Sequence, residues 1–258
     1  MHPSYRAKLA LARPARIGIA LGLILAFPRD LKSETRPQFL DLIAAINHGS
    51  NAEGAESHGA LGMKLGFGLE TVPIDQEDTM SRENFNLPSE SGVKTLGLPR
   101  VIVTKGLFIP VDLAVSAAFI DNRRLTQLTG QAQWTIFEGF RLPALALRAG
   151  AHRIYGLGYA SLRTLTGDLV LSFGLGGFSF YGSYGWGWHS AAIRRSKSSE
   201  DLFLAQRATT NPLNQNWRDE ARSLGFRIMI VPMVALGFEA RAANKSPDIY
   251  TLVLSLGT

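Results

Sequence analysis

The chain lacks cysteine entirely, which excludes disulfide frameworks and thiol chemistry. It also lacks any run of about 20 consecutive apolar residues, the length that an α-helix needs to cross a bilayer, and this absence excludes a helical membrane protein. The five histidines are scattered along the chain, so no metal-ligand cluster is predicted. The 258 residues, 46% of them apolar, suffice for one domain of middling hydrophobicity.

The clearest positive pattern lies between Leu224 and Ala240. Apolar residues occupy every second position on both sides of the turn at Val231-Pro232, with small or charged residues between them. Because side chains alternate across a strand, this pattern predicts a β-hairpin with one apolar and one small or charged face. A barrel wall with lipid on one side and a polar lumen on the other needs this pattern.

The same alternation recurs along the rest of the chain. The predicted strands are 60–70, 100–105, 111–120, 130–138, 144–152, 168–173, 178–188, 224–231, 234–241 and 249–257. The sequence therefore predicts an all-β fold, a single antiparallel transmembrane β-barrel of about ten strands, with eight to twelve compatible with the pattern.

The predicted connections differ in length according to whether they follow an odd-numbered or an even-numbered strand. Those after the odd-numbered strands are longer than the others, and 71–97 and 190–218 are very long. Outer-membrane barrels have short periplasmic turns and long external loops, so this regularity favours a barrel over a soluble sandwich.

The N-terminus has the features of an export signal. Basic residues up to Arg16 precede the apolar stretch 17–27, which predicts a signal peptide over 1–26, with a later cleavage site near residue 45 as the alternative. The signal carries four basic and no acidic residues, so its removal lowers the net charge of +6 to +2. The remaining charge gives no case for nucleic-acid binding.

A periplasmic leader is predicted over 27–58, ahead of the barrel at 59–258. Apolar residues at helical spacing within Glu34–Gly49 predict a short amphipathic helix. Three positions remain open for this helix: at the periplasmic rim, inside the lumen, or in a mobile leader.

Three stretches resemble a family of uncharacterised outer-membrane barrel proteins of Gram-negative bacteria. They are Leu98–Leu107 followed by Val111-Asp112, Glu138-Gly139 with Leu142-Pro143-Ala144 and Arg148, and Thr166–Leu169 with Ser172. The resemblance covers about Leu61 to Gly257 and implies a barrel in the outer membrane. The family has no settled activity, so the resemblance implies no catalytic or binding residue.

The alternation also predicts which polar side chains face the lumen. They are Lys64, Glu70, Arg100, Asp112, Arg148, His152, Asp168, Arg227, Glu239 and Arg241. Two interpretations stay open: a structural charge network in which buried charges have partners, and a pathway in which the four arginines favour anionic or polar solutes. Trp186 and Trp188, at the far end of the seventh strand, are predicted to form an interfacial aromatic girdle.

The leading functional hypothesis is a narrow passive pore or transporter for small solutes or lipophiles. The alternative is a structural or surface-interaction barrel that acts through loops 71–97 and 190–218. A hydrolase using a rim pair of His152 and Asp168 is a third hypothesis, but no serine stands out as its nucleophile, and we expect no enzyme and no cofactor. Expected partners are outer-membrane lipid, lipopolysaccharide and the outer-membrane assembly machinery, and no nucleic acid is expected.

Overall fold

The structure is a computed structural model that describes residues 38–48, 52–73, 95–120, 125–139, 143–156, 160–193, 214–244 and 246–257. The predicted signal peptide at 1–26 lies outside the described residues. Within them the chain forms helix α1 (Gln38–His48) and ten strands. The strands are β1 (Met63–Pro73), β2 (Thr95–Gly106), β3 (Val111–Ile120), β4 (Leu125–Phe137), β5 (Ala144–Tyr155), β6 (Ala160–Leu175), β7 (Phe178–Ile193), β8 (Asn214–Val231), β9 (Val234–Ala243) and β10 (Ile249–Gly257).

The strands close into one barrel. Each strand pairs antiparallel with its sequence neighbours, and β1 pairs with β10, which places Phe67 opposite Leu254. This arrangement confirms the predicted ten-stranded antiparallel barrel. No helix in the described ranges is long and apolar enough to span a bilayer.

Apolar side chains cover the outside of the barrel. On β10, Leu252 and Leu254 are 45% and 41% exposed, whereas Val253 between them is 2% exposed. The same alternation occurs on β2, where Val101 and Val103 face outward. A water-soluble protein seldom exposes such a continuous apolar belt, whereas lipid covers the belt of a transmembrane barrel.

Strands β6, β7 and β8 run further than their alternation predicts. The predicted loop 190–218 shortens to 194–213 because β7 continues to Ile193 and β8 begins at Asn214. The outward residues in these extensions include Asn216 and Arg218, which do not interrupt strand pairing. Outward residues need to be apolar only along the height of the lipid. Past that height, backbone hydrogen bonds between neighbouring strands continue the pairing.

Two long connections, 74–94 and 194–213, share one end of the barrel, which we call the loop end; the opposite end is the turn end. The other loop-end connections, 121–124, 156–159 and 244–248, are about as short as the connections of the turn end. The predicted difference in length between the two ends is therefore due to the connections 74–94 and 194–213 alone.

Helix α1 lies inside the barrel near its loop end. Its apolar residues pack with side chains at the loop ends of the strands, in one buried cluster. The cluster contains Leu40, Leu42, Ile43, Ala45, Ile46, Val72, Leu96, Leu98, Ile154, Leu162, Ala191 and Ile249, with Trp217 against it. Of the three positions left open for the helix, the structure shows the lumen.

From Ala52 to His58 the chain runs along the lumen toward the turn end, where β1 begins. We call α1 and residues 52–58 together the plug. Residues 52–55 are buried, and residues 56–58 are half-buried. The plug therefore occupies the space that ten strands leave open inside the wall.

Candidate functional site: the plugged lumen

A buried ion pair fixes the middle of the plug. The ammonium group of Lys64, on β1, contacts the carboxylate of Glu53, and both side chains are buried. The Thr104 hydroxyl donates to Oε1 of Glu53 at 3.2 Å, and Nη2 of Arg148 donates to the Glu53 carbonyl at 2.8 Å. Three strands thus bind one plug residue through both its side chain and its backbone.

The cationic surroundings keep Glu53 ionised. Burial raises the pKa of its carboxyl, whereas Lys64, His58 and Arg148 lower it, and the balance brings the pKa of Glu53 to about 2. A carboxylate in a low-dielectric lumen needs such compensation.

Side chains of the wall supply hydrogen bonds to the backbone of the plug. Nε2 of Gln133 donates to the carbonyl of Gly54 at 3.0 Å, and the Thr135 hydroxyl donates to the carbonyl of Ala55 at 2.8 Å. The amide of Ala55 donates to Oγ of Ser172 at 3.0 Å. Because the plug segment 52–58 is not a strand of the barrel, its buried backbone groups need these partners.

At the turn end, His58 binds Asp112. Nδ1 of His58 lies 2.9 Å from Oδ2 of Asp112, and the His58 amide also donates to that carboxylate. A Cβ atom on Gly106 would collide with the backbone of Gly59. The chain therefore passes tightly under β2 before it enters β1.

The other predicted lumen charges are mostly paired. Nη2 of Arg100 lies 2.6 Å from Oε2 of Glu70, and Nη2 of Arg241 lies 3.5 Å from Oε1 of Glu239. Of the ten residues predicted to face the lumen, Arg227 is half-buried and the other nine are buried. The nine are Lys64, Glu70, Arg100, Asp112, Arg148, His152, Asp168, Glu239 and Arg241. Arg100, Arg148 and Arg241 contact acids, amides or the plug, so they form no open arginine-lined pathway in this closed state.

Little space remains between plug and wall at this depth. A cavity of about 10 Å³ is lined by Glu53, Thr104, Asp112, Ala114, Gln131, Gln133 and Arg148. This volume holds no more than about one water molecule. Next to Glu53 the plug therefore leaves room for no solute larger than water.

The fold gathers three histidines that the sequence scatters. The ring centroid of His48, at the end of α1, lies 6.3 Å from that of His152 and 6.5 Å from that of His189. Burial lowers the pKa of His48, Arg241 acts in the same direction, and Asp168 opposes both. The histidines are scattered in the sequence, but strand pairing and α1 bring three of them together in the fold.

His152 and Asp168 do not form the hypothetical catalytic pair. The ring nitrogens of His152 bind the hydroxyls of Thr129 and Thr166, at 3.1 and 3.0 Å. Asp168 instead faces His48, with 3.9 Å between Oδ1 and Nε2. The described residues therefore give no support to a His152–Asp168 base.

Trp186 and Trp188 face outward on β7, but the strand continues past them to Ile193. Counted from Phe178, the roughly 9–11 residues of a membrane-crossing strand end at these two tryptophans. The guanidinium of Arg218 on β8 lies 5.1 Å from the Trp186 ring and 5.6 Å from the Trp188 ring. Aromatic and charged residues thus meet on the outer surface where the apolar belt ends, as at a membrane interface.

The closed antiparallel barrel, its continuous apolar belt and its polar interior together define the architecture of outer-membrane barrels. This chain is an outer-membrane β-barrel.

No protein-family model matches the sequence, and no curated protein matches it. Among solved structures, it is similar to the outer membrane protein OprG from Pseudomonas aeruginosa, with 13% identity and a TM-score of 0.36 over 79% of this chain and 99% of OprG. Ail, the attachment invasion locus protein of Yersinia pestis, has 12% identity and a TM-score of 0.28, over 76% of this chain and 95% of Ail. Omp33 of Acinetobacter baumannii has 8% identity and a TM-score of 0.26, over 76% of this chain and 99% of Omp33. At these TM-scores no activity carries over, and the barrel assignment rests on the strands and belt described above.

Proposed function

We propose that this protein is a narrow passive pore for small polar solutes that its own plug holds closed. The observation that carries the proposal is the position of residues 52–58 along the lumen. Passage then requires the plug to leave, and the barrel wall can stay intact while it does so.

The polarity of the contacts supports a plug that can be displaced. Glu53 and the backbone of Gly54 and Ala55 are held mainly by charged or hydrogen-bonding side chains of the wall. Water can replace such partners, whereas a plug seated on apolar side chains alone would expose them on leaving. The apolar cluster around α1 opposes release at the loop end, which makes the closed state the resting state.

We further propose that lipid acyl chains cover the belt, that lipopolysaccharide surrounds the loop end, and that the outer-membrane assembly machinery inserts the barrel. The apolar outer surface supports the first of these partners.

An engineered disulfide tests the gating proposal. A Cβ atom on Gly237 would lie 3.4 Å from the Cβ of Ala52, close to the roughly 3.5–4.5 Å that a disulfide requires. The double variant Ala52→Cys/Gly237→Cys joins the plug to β9, and no native cysteine competes for the bond.

In planar bilayers we expect intermittent conductance from the unmodified chain, none from the oxidised double variant, and recovery when a reductant is added. The single variants Ala52→Cys and Gly237→Cys control for the substitutions themselves. A silent unmodified chain, or an oxidised variant that conducts as well as the reduced one, would refute the proposal.

A second candidate function follows from the closed lumen and from the two long connections at the loop end. A barrel without passage acts through its surface, and 74–94 and 194–213 are its longest external connections. Deletion of 194–213 is expected to abolish binding to a cell surface or extracellular matrix while the barrel still resists heat in detergent. Undiminished binding after this deletion would count against the surface role.

A further inference from the structure

A second site lies at the junction of plug and wall, near the loop end. His48 ends α1, His189 lies on β7 and Asp219 lies on β8. One ligand atom from each lies within 4.8 Å of the other two, and all three residues are buried. Imidazole nitrogen and carboxylate oxygen are ligands that Zn²⁺ accepts in proteins.

The imidazole of His48 is the observation that points to a ligand. Its Nε2 atom is buried and has no hydrogen-bond partner among the described residues. Oδ1 of Asp168 forms an ion-pair contact with this nitrogen at 3.9 Å. That distance is too long for a hydrogen bond. A buried polar atom without a partner is costly, and a bound cation would remove that cost.

The second histidine is already held in place. Nε2 of His189 lies 2.9 Å from Oδ1 of Asp219, and its ring stacks on Trp217 with centroids 5.0 Å apart. Nδ1 of His189 lies 2.9 Å from the Thr164 hydroxyl, which also accepts a hydrogen bond from Asn47.

This hydroxyl suits a histidine that changes tautomer. In the metal-free arrangement, Nε2–H of His189 donates to Asp219, and Nδ1 accepts from Thr164. When Nε2 binds a metal, its proton is replaced and Nδ1–H donates to Thr164 instead, because a hydroxyl can both donate and accept. An outer partner of this kind orients the ligands of metal sites.

The floor of the site is glycine. A Cβ atom on Gly187 would lie 2.6 Å from Oδ1 of Asp219 and 2.7 Å from Nε2 of His189. Any larger residue would therefore occupy the space next to both ligand atoms.

The charges around the site suit a divalent cation. A carboxylate oxygen of Asp219 lies within 4.8 Å of a ring nitrogen of His48, and Oδ1 of Asp168 lies 3.9 Å from Nε2 of His48. Arg241 contacts Glu239 and donates to the His48 carbonyl, at 3.5 and 3.4 Å.

We propose that His48, His189 and Asp219 bind one divalent transition-metal ion, best matched by Zn²⁺, which joins the plug to β7 and β8. The ligand atoms must approach each other, since tetrahedral zinc ligands at about 2.0–2.1 Å lie about 3.3 Å apart. His189 and Asp219 are near that separation already, so the movement falls on His48 at the end of α1.

Calorimetric titration of the untagged, metal-stripped full chain in detergent with ZnCl₂ tests the site, and Co²⁺ absorption reports its coordination. We expect one Zn²⁺ per chain, and affinity lowered on the order of 100-fold or more in His48→Ala. His58→Ala is the matched control, because His58 lies on the plug but binds Asp112 instead. Absence of Zn²⁺ binding to the unmodified chain, or equal affinity in the two histidine variants, would overturn the proposal.

Two further variants separate metal binding from folding. Asp219→Asn keeps the shape of the side chain and an acceptor for His189 but removes the charge. Gly187→Ala keeps all three ligands and fills the space beside them. Both are expected to lose Zn²⁺ binding while still running as a folded, heat-modifiable band, and a folded variant that keeps full affinity contradicts the assigned ligands. This readout is independent of conductance, so it stands whether or not the barrel opens.

Discussion

Glu53 of the plug and Lys64 of β1 form an ion pair in which both side chains are buried. The two residues belong to consecutive segments that run in opposite directions, joined through Gly59, whose φ is 64°. The pair therefore ties the plug to the strand that follows it in sequence, and release of the plug must separate two charges inside the barrel.

Lys64→Met is expected to destabilise the closed state by about 3–5 kcal/mol, because it leaves the Glu53 carboxylate buried without its main partner. The frequency of open events in planar bilayers measures the effect. The double variant Glu53→Gln/Lys64→Met should recover most of the closed state, since neither charge remains. Lys105→Met, on an exposed lysine of β2, is the matched control, and an equal effect there would argue against the ion pair as the cause.

Gly225→Ala is expected to destabilise the barrel by about 1–3 kcal/mol through overpacking. An added Cβ would collide with the ring of Tyr181 and would lie 2.6 Å from the carbonyl oxygen of Phe238. Gly130→Ala is the comparison, because nothing lies within 4 Å of a Cβ there, and it should stabilise by about 0.4–1 kcal/mol. Urea unfolding of both variants in vesicles measures the difference, and equal midpoints would show that the contact between Tyr181 and Phe238 leaves room for a methyl group.

Leu254→Arg tests the apolar belt. Leu254 faces outward on β10 and is 41% exposed, so an arginine there should cost about 2–4 kcal/mol near the middle of a bilayer. Leu61 is 90% exposed just before β1, and Leu61→Arg should cost about 0–1 kcal/mol, as near an interface. Unfolding in phospholipid vesicles gives both values. Equal tolerance of arginine at both positions would show that Leu254 does not face the hydrocarbon core of the bilayer.

Zn²⁺ should lengthen the closed periods of the pore if the gating proposal and the metal site both stand. The ion would join α1 to the wall and so add to the contacts that must break before the plug leaves. Closed-time distributions before and after addition of a chelator measure this effect. In His48→Ala the chelator should change nothing, and a chelator effect that persists there would come from another site.

The sequence predicted the wall well because burial in lipid acts residue by residue. Strands β3, β5 and β10 show uninterrupted alternation, and the predicted and observed positions agree closely. For β8 the prediction missed the first half, because Asn216, Arg218 and Glu220 replace the apolar outward residues there. Only pairing with β7 shows that these residues continue a strand.

The interior was less predictable. Helical spacing indicated α1, but its apolar residues suit a membrane rim as well as a lumen, so only the packed cluster decides between them. His48, His152 and His189 are far apart in sequence with no common spacing. Their meeting depends on the register of β5, β6 and β7 and on the position of α1, neither of which a single sequence specifies.

The plug crosses two different surroundings. The cluster around α1 includes Ala191 and Trp217, which lie past Trp188 at and above the upper edge of the apolar belt, whereas Glu53 and Ala55 lie within the belt. The apolar residues of α1 are buried in that cluster, so the helix is shielded from solvent at this level. Acyl-chain length and lateral pressure act on the wall around the segment beneath it, so a thinner or stiffer membrane should change the contacts of Glu53 more than those of α1.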